Sequence, residues 1–270
     1  MGNIYENYCV AFIDILGFKM KTNTKENIER NSKIITQALD LMRTYKPQKE
    51  YEHLYKQSNI IQMQVSDSLI FIFPKDFCNI IVATRWISIL QFLLARKGIY
   101  IRGSINSGVM YIDQENDIYF GEAWNKAVLA EAKAGAPRIL LEPSIARIIG
   151  ESLQQINESV AEFFVDNDGE IVLTSYTPIL VLSIFQGDLT TNLRTAYTEL
   201  LDNLEVEVIN AKKEPNLLHK FLWISQHITI FGERFGEDAD DITIRIQTIK
   251  KRIIEYLTDG VSLEKVHQEY

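Results

Sequence analysis

The first 112 residues alternate strand-like and helix-like patterns in one order, and that order leaves few folds open. Val10 to Ile15 is apolar and rich in β-branched residues, as a buried strand requires. From Lys25 to Tyr45, Ile28, Ile35, Leu39 and Met42 recur at helical spacing, with Asn23 or Thr24 placed to cap the first turn. Ile60–Val65 and Leu69–Phe73 read as two strands of a hairpin joined at Ser66-Asp67-Ser68, and Pro74 ends it. Between them and the helix lies a polar loop from Pro47 to Ser58, with room for a short element at Tyr51 to Tyr55. Phe77 to Lys97 is a long helix, apolar on a wide face, stopped by Gly98. Ile99 to Ile105 is a further strand, which Gly108 to Ile112 continues or pairs. The result is β-α-β-β-α-β, the split βαβ unit. Its first strand lies beside its central hairpin, so Asp14 at the strand's end and Asp67 in the turn fall on one sheet edge.

Those two carboxylates carry the chemistry. Burying a charge at a strand end is costly unless it meets a cation or a donor. Two side by side make a hard-oxygen site for Mg²⁺ or Mn²⁺, the apparatus of two-metal phosphoryl transfer. Either Asp alone is ordinarily a strand cap or a turn residue; the paired placement is what points to a site.

A second block follows. Phe120-Gly121-Glu122 opens a helix through Ala134, alanine-rich and so a strong helix former, ended by Gly135 and Pro137. Arg138 to Leu141 reads as a short strand, Pro143 to Gly150 as a short helix, Phe163 to Leu173 as a hairpin, and Ile179 to Phe185 as a last strand. From Asp188 the chain is helical, with Ile242, Ile246, Ile249, Ile253 and Leu257 at helical spacing, the pattern of an accessory bundle. The expected domains are thus 8–185 and a helical extension, 188–270.

The chain has 270 residues and a formal net charge of −8. An acidic chain lacks the basic face that duplex nucleic acid requires, so no nucleic-acid partner is expected. Only Cys9 and Cys78 are present, without metal-site spacing, which suits a reducing cytoplasm. The N-terminus lacks a signal-peptide pattern and no apolar stretch reads as an uninterrupted bilayer span, so no membrane partner is expected either.

Four segments together resemble the class III nucleotide cyclases over roughly residues 8 to 185. They are Phe12-Ile13-Asp14-Ile15-Leu16-Gly17-Phe18, Ser66-Asp67-Ser68-Leu69, Ile101-Arg102-Gly103-Ser104-Ile105-Asn106-Ser107-Gly108, and Gly121-Glu122-Ala123-Trp124-Asn125-Lys126-Ala127. The resemblance implies an α+β fold with a ferredoxin-like core and a homodimer with active sites at its interface. One chain would supply Asp14, Asp67 and the carbonyl of Ile15 to two Mg²⁺ or Mn²⁺ ions. Amides around Leu16, Gly17, Phe18 and Lys19 would hold the triphosphate. The other chain would supply Asn125 to the ribose. A nucleoside triphosphate would become a 3′,5′-cyclic nucleotide and pyrophosphate.

Three departures stand out. Leu129 occupies the place of a family Arg, and Phe163 to Tyr176 lacks the family's Lys. Lys126, Lys133, Arg138 and Arg102 are the possible substitutes. The base-reading positions fall on Ile61 and Ile118, with Gln62, Gln64 and Tyr119 as neighbours able to hydrogen-bond. This lack of a purine-reading pair is similar to the bacterial pyrimidine cyclases of antiphage signalling, and implies CTP or UTP as substrate. The alternatives are an adenylate or guanylate cyclase with unusual base contacts, and a non-catalytic dimerising or nucleotide-binding module. A polymerase-palm or diguanylate-cyclase relative shares the βαββαβ core but ranks low, since its Gly-Gly-acidic-acidic-Phe turn is absent.

Overall fold

The computed structural model describes residues 4–45, 58–155, 163–173, 189–232 and 240–259. In chain order the elements are β1 (Ile4–Ile15), α1 (Phe18–Thr22), α2 (Lys25–Thr44), β2 (Ile61–Val65), β3 (Ser68–Pro74), α3 (Phe77–Ala95), β4 (Ile101–Asp113), β5 (Ile118–Gly121), α4 (Glu122–Lys133), β6 (Ile139–Leu141), α5 (Pro143–Gln155), β7 (Phe163–Val165) and β8 (Ile171–Leu173). Three helices follow, α6 (Leu189–Asn210), α7 (Pro215–Gly232) and α8 (Asp240–Asp259). The class is α+β. One sheet runs β2-β3-β1-β4-β6-β8-β7, with β5 paired to β4. Its first four positions are the expected βαββαβ order: β1 is antiparallel to both β3 and β4, and β3 to β2.

Alternation along β1 decides what each face becomes. Cys9, Ala11, Ile13 and Ile15 point to the helices and share a core with Ala38 and Met42 of α2 and Trp86, Ile87 and Leu90 of α3. Val10 faces the other way and packs with Ile70, Ile72, Ala123 and Ala127, with Phe12 against this cluster. Asp14 falls on this second face by the same period. β4 lies so close to β1 at Gly103 that any Cβ there would sit 2.4 Å from the carbonyl oxygen of Phe12.

Helix α3 is apolar on nearly every side and long enough to cross a bilayer by length and composition, yet it is mostly buried in the protein. One side meets the sheet. The other, with Ile89, Phe92 and Ala95, shares a second core with Leu200, Leu204 and Val208 of α6, Leu218, Phe221 and Ile224 of α7, and Ile246, Ile249 and Ile253 of α8. A helix hydrophobic all round needs cover all round, and the C-terminal helices provide it here. Asp76 caps α3 by accepting from the Asn79 amide, and Thr24 caps α2 by accepting from the Asn27 amide.

Some boundaries depart from the pattern reading. The first strand begins six residues earlier, at Ile4, and β4 runs unbroken through Gly108. The hairpin partner β5 was not apparent because four residues carry too little alternation. Helix α5 continues past Gly150 to Gln155. The expected strand at 179–185 and the short element at 51–55 lie outside the described residues.

Candidate active site

Asp14 sits one step beyond the Ile13–Leu69 pair of the β1–β3 ladder, which carries it alongside Ser68 and the β2–β3 turn. That turn consists of Ser66 and Asp67, with Ser66 in the left-handed region at φ 57°. The two carboxyl groups lie close enough to share a proton, so the topology brings Asp14 and Asp67 together. Burial, then the hydrogen bond and negative charge of Asp67, then the charge of Glu131, push the Asp14 carboxyl up to about 7, against the opposing pull of Arg102. Two carboxylates share a proton when no cation separates them. Such a pair suits Mg²⁺ or Mn²⁺, which are held by one or two carboxylates with the rest of the shell left to water and phosphate. Among the described residues no cluster of three or more His, Cys, Asp or Glu forms a closed metal cage. The neighbouring Ile15 buries its side chain in the helix-side core, leaving only its backbone carbonyl to act as a ligand.

Across the β1–β4 ladder, Arg102 is the direct partner of Asp14. Its guanidinium lies 3.8 Å from the Asp14 carboxylate, and its Nε 2.7 Å from Glu131. Glu131 is a buried carboxylate from α4. It continues the inward stripe of Ala123 and Ala127, at successive steps of four, so the helix that fills the second sheet face also delivers a charge to the Asp14 end. Glu131 went unnoticed in the sequence, though a Glu four residues beyond two inward alanines is a readable signal. Of the four substitute cations, Arg102 is the one paired with Asp14. Arg138 is tied to Asp166 and Asp168 at 2.5 Å each, which fastens the β7–β8 turn and leaves the guanidinium no free face. Lys126 pairs with Glu122 at 2.8 Å and donates to the Ser107 carbonyl at 3.2 Å. Lys133 is exposed at the end of α4. Arg138 and Lys126 are therefore committed elsewhere in this chain.

Beyond Ile15 the chain turns sharply. The Leu16 amide donates to the Tyr100 carbonyl, and Gly17 adopts φ 74° with open space where a Cβ would stand. Helix α1 starts at Phe18, so the amides of Phe18 and Lys19 have no partner within the helix. The Lys19 side chain is exposed.

Asn125 is not turned toward Asp14 of its own chain. It lies six residues before Glu131, about 9 Å along α4, and is exposed rather than on the inward stripe. Leu129, one turn on, is 68% exposed.

The expected base readers divide between faces. Ile61 and Met63 join the Asp14 face. Gln62 and Gln64 alternate onto the opposite face, where the Gln62 amide donates to the Met42 carbonyl at 2.6 Å and the Gln64 amide to the Ser66 carbonyl at 3.4 Å. Neither Gln is brought to the carboxylates. The same alternation separates Ile118 from Ile61: Tyr119 packs on the Asp14 face, whereas Ile118 points away and is exposed. Tyr119 also pairs with Ile112, ten residues along β4 from Arg102, roughly 33 Å away at strand rise. Within one chain, then, Tyr119 and Asp14 occupy opposite ends of the sheet. The Tyr119 hydroxyl is held above its ordinary range by burial and by the charge and hydrogen bond of Asp117.

No family model and no curated protein matches the chain. Among solved structures, the adenylyl cyclase CyaB from P. aeruginosa aligns at TM-score 0.44 and 18% identity, over 56% of this chain and 84% of that one. The catalytic core of a rhodopsin-guanylyl cyclase with converted specificity, in complex with ATPαS, aligns at 0.43 and 17%, over 63% and 97%. The guanylyl cyclase Cya2 aligns at 0.43 and 12%, over 64% and 93%.

Proposed function

We propose that this protein is a metal-dependent nucleotidyl cyclase that converts a nucleoside triphosphate, CTP or UTP ahead of ATP or GTP, to its 3′,5′-cyclic nucleotide and pyrophosphate. The observation that carries the reading is the contact between Asp14 and Asp67, at a strand end and a hairpin turn beside the Gly17 turn. A binding module has no need of two adjacent carboxylates. In the reaction the 3′-oxygen forms a bond to the α-phosphorus, the bond to the β-phosphate oxygen breaks, and the 3′-hydroxyl proton is lost. Two Mg²⁺ or Mn²⁺ ions at Asp14, Asp67 and the Ile15 carbonyl would favour the alkoxide and offset charge on the leaving group. Gly17 opens the turn so that the Phe18 and Lys19 amides can meet phosphate oxygens. Arg102, held by Glu131 through Nε, keeps its Nη end toward the carboxylates and the phosphates they would share.

The site is completed in a two-fold homodimer, where Asn125 of one chain orients the ribose over Asp14 of the other. Its exposure on α4 supports this. The base lies against an apolar wall, Ile61 and Met63, and Tyr119 reaches it only from the other chain of the dimer. Such a wall discriminates weakly between purines, which supports the pyrimidine reading. In this scheme residues 8–185 form the catalytic domain and 188–270 its helical extension, in a cytoplasmic signalling enzyme of the kind that serves antiphage defence. Purified protein is incubated with each ribonucleoside triphosphate and Mn²⁺, and products are identified by mass spectrometry. Faster turnover of ATP or GTP would replace the pyrimidine reading with a purine cyclase. No product from any of the four would favour the non-catalytic module.

A further inference from the structure

Cyclising a triphosphate concentrates negative charge beside Asp14, yet the late hairpin offers only Asp166 and Asp168 in place of a cation. The C-terminal helices supply one. Helix α7 reaches the Asp14 end of the sheet at two points: Phe221 packs edge-on against Tyr100 at 5.5 Å, two residues before Arg102, and Trp223 packs on Leu140 and Ala134 while its indole N–H donates to Asp166 at 2.7 Å. Leu218 and Ile224, on either side, are fully buried. The helix is therefore fixed at both flanks of its middle turn, and that turn carries Lys220.

Lys220 is half-buried and has no ion-pair partner among the described residues. Burial, and then the like charge of neighbouring Arg102, hold it below the ordinary lysine range. A sheltered ammonium without a carboxylate costs free energy in the empty protein. An anion placed against it would offset that cost. Glu131 is taken by Arg102, and Asp166 by Arg138 and Trp223.

We propose that Lys220 is a ligand of the substrate's polyphosphate, so that the helical extension completes the active site of its own chain. This rests on the cyclase reading for the identity of the ligand, a nucleoside triphosphate, but the assignment of an anion site does not.

The test uses the full chain and inorganic tripolyphosphate with Mn²⁺ as probe, measured by calorimetry, beside KM and kcat for the best triphosphate. Lys220→Gln should weaken tripolyphosphate binding and raise KM by about tenfold or more, the scale of one lost charge-assisted contact. Lys220→Arg should stay within about threefold of wild type. Lys251→Gln, an exposed charge on α8, should change neither value. Lys220→Met keeps the apolar stem and replaces the glutamine variant if that one melts early. Unchanged binding in both neutral variants would overturn the proposal. So would equal losses in Lys220→Gln and Lys251→Gln, equal losses in Lys220→Gln and Lys220→Arg, or a wild type that binds no tripolyphosphate. If tripolyphosphate binds through Lys220 but no triphosphate is cyclised, the cyclase reading fails and the anion site stands.

Discussion

Asp14 carries a proton near neutrality in the metal-free protein because burial disfavours its charge, and the hydrogen bond and charge of Asp67 and the charge of Glu131 add to that. Its folded value, about 7, lies above the unfolded one, about 3.8. The folded state therefore holds this proton more tightly, and its stabilising effect is complete below pH 4 and lost as pH rises toward and through 7. Thermal melting of metal-free protein should show Asp14→Asn gaining stability over wild type at pH 8 and not at pH 4. Mn²⁺ must displace the same proton, so it should raise the melting temperature of wild type more at pH 8 than at pH 5, and that of Asp14→Asn little at either. A wild-type response to Mn²⁺ that ignores pH would mean the ion binds elsewhere. Turnover of Asp14→Ala or Asp67→Ala should fall at least about a thousandfold with folding retained, as for groups acting only in the transition state.

At the scale of elements, the site is held together by pieces that do no chemistry. Arg138 gathers Asp166, Asp168 and the Ala134 carbonyl, joining the end of α4 to the β7–β8 turn. Removing it leaves a buried carboxylate, so Arg138→Ala should destabilise by about 3–5 kcal/mol, read as a lower urea midpoint at unchanged m-value. Activity per folded molecule should hardly change, which separates this arginine from Arg102. Most elements were readable from the chain itself. The periods of 2.0 and 3.6, the Thr24 cap and the Gly98 stop are local properties, and they placed β2, β3 and α2 to α4 within a few residues and the C-terminal end of β1 at Ile15. Arg138 looked like a spare phosphate ligand because its two acidic partners lie about thirty residues away, where spacing carries no information.

At the scale of the whole molecule, one chain presents Asp14 at one end of the sheet and keeps Asn125 on an outer helix face. If two chains complete each other's sites, co-expressed Asp14→Ala and Asn125→Ala chains should recover activity neither has alone. Random pairing leaves about a quarter of the sites intact. No recovery, with heterodimers verified by mass, would show that Asn125 acts within its own chain or not at all. The sequence alone determined that a strand, a hairpin and two helices would bring Asp14 and Asp67 to one edge, because antiparallel neighbours in a βαββαβ sheet have little freedom of register. It could not assign faces. A shift of one residue moves every side chain through the sheet, which is why Gln62 and Gln64 looked eligible as base readers and Tyr119 was not distinguished from Ile118. Nor could it show that α3 needed cover on its far side, or that the helices providing it would bring Lys220 to Arg102 across more than a hundred residues. Those contacts come from packing two apolar surfaces against each other, and only the folded chain decides which charged side chains end up beside them.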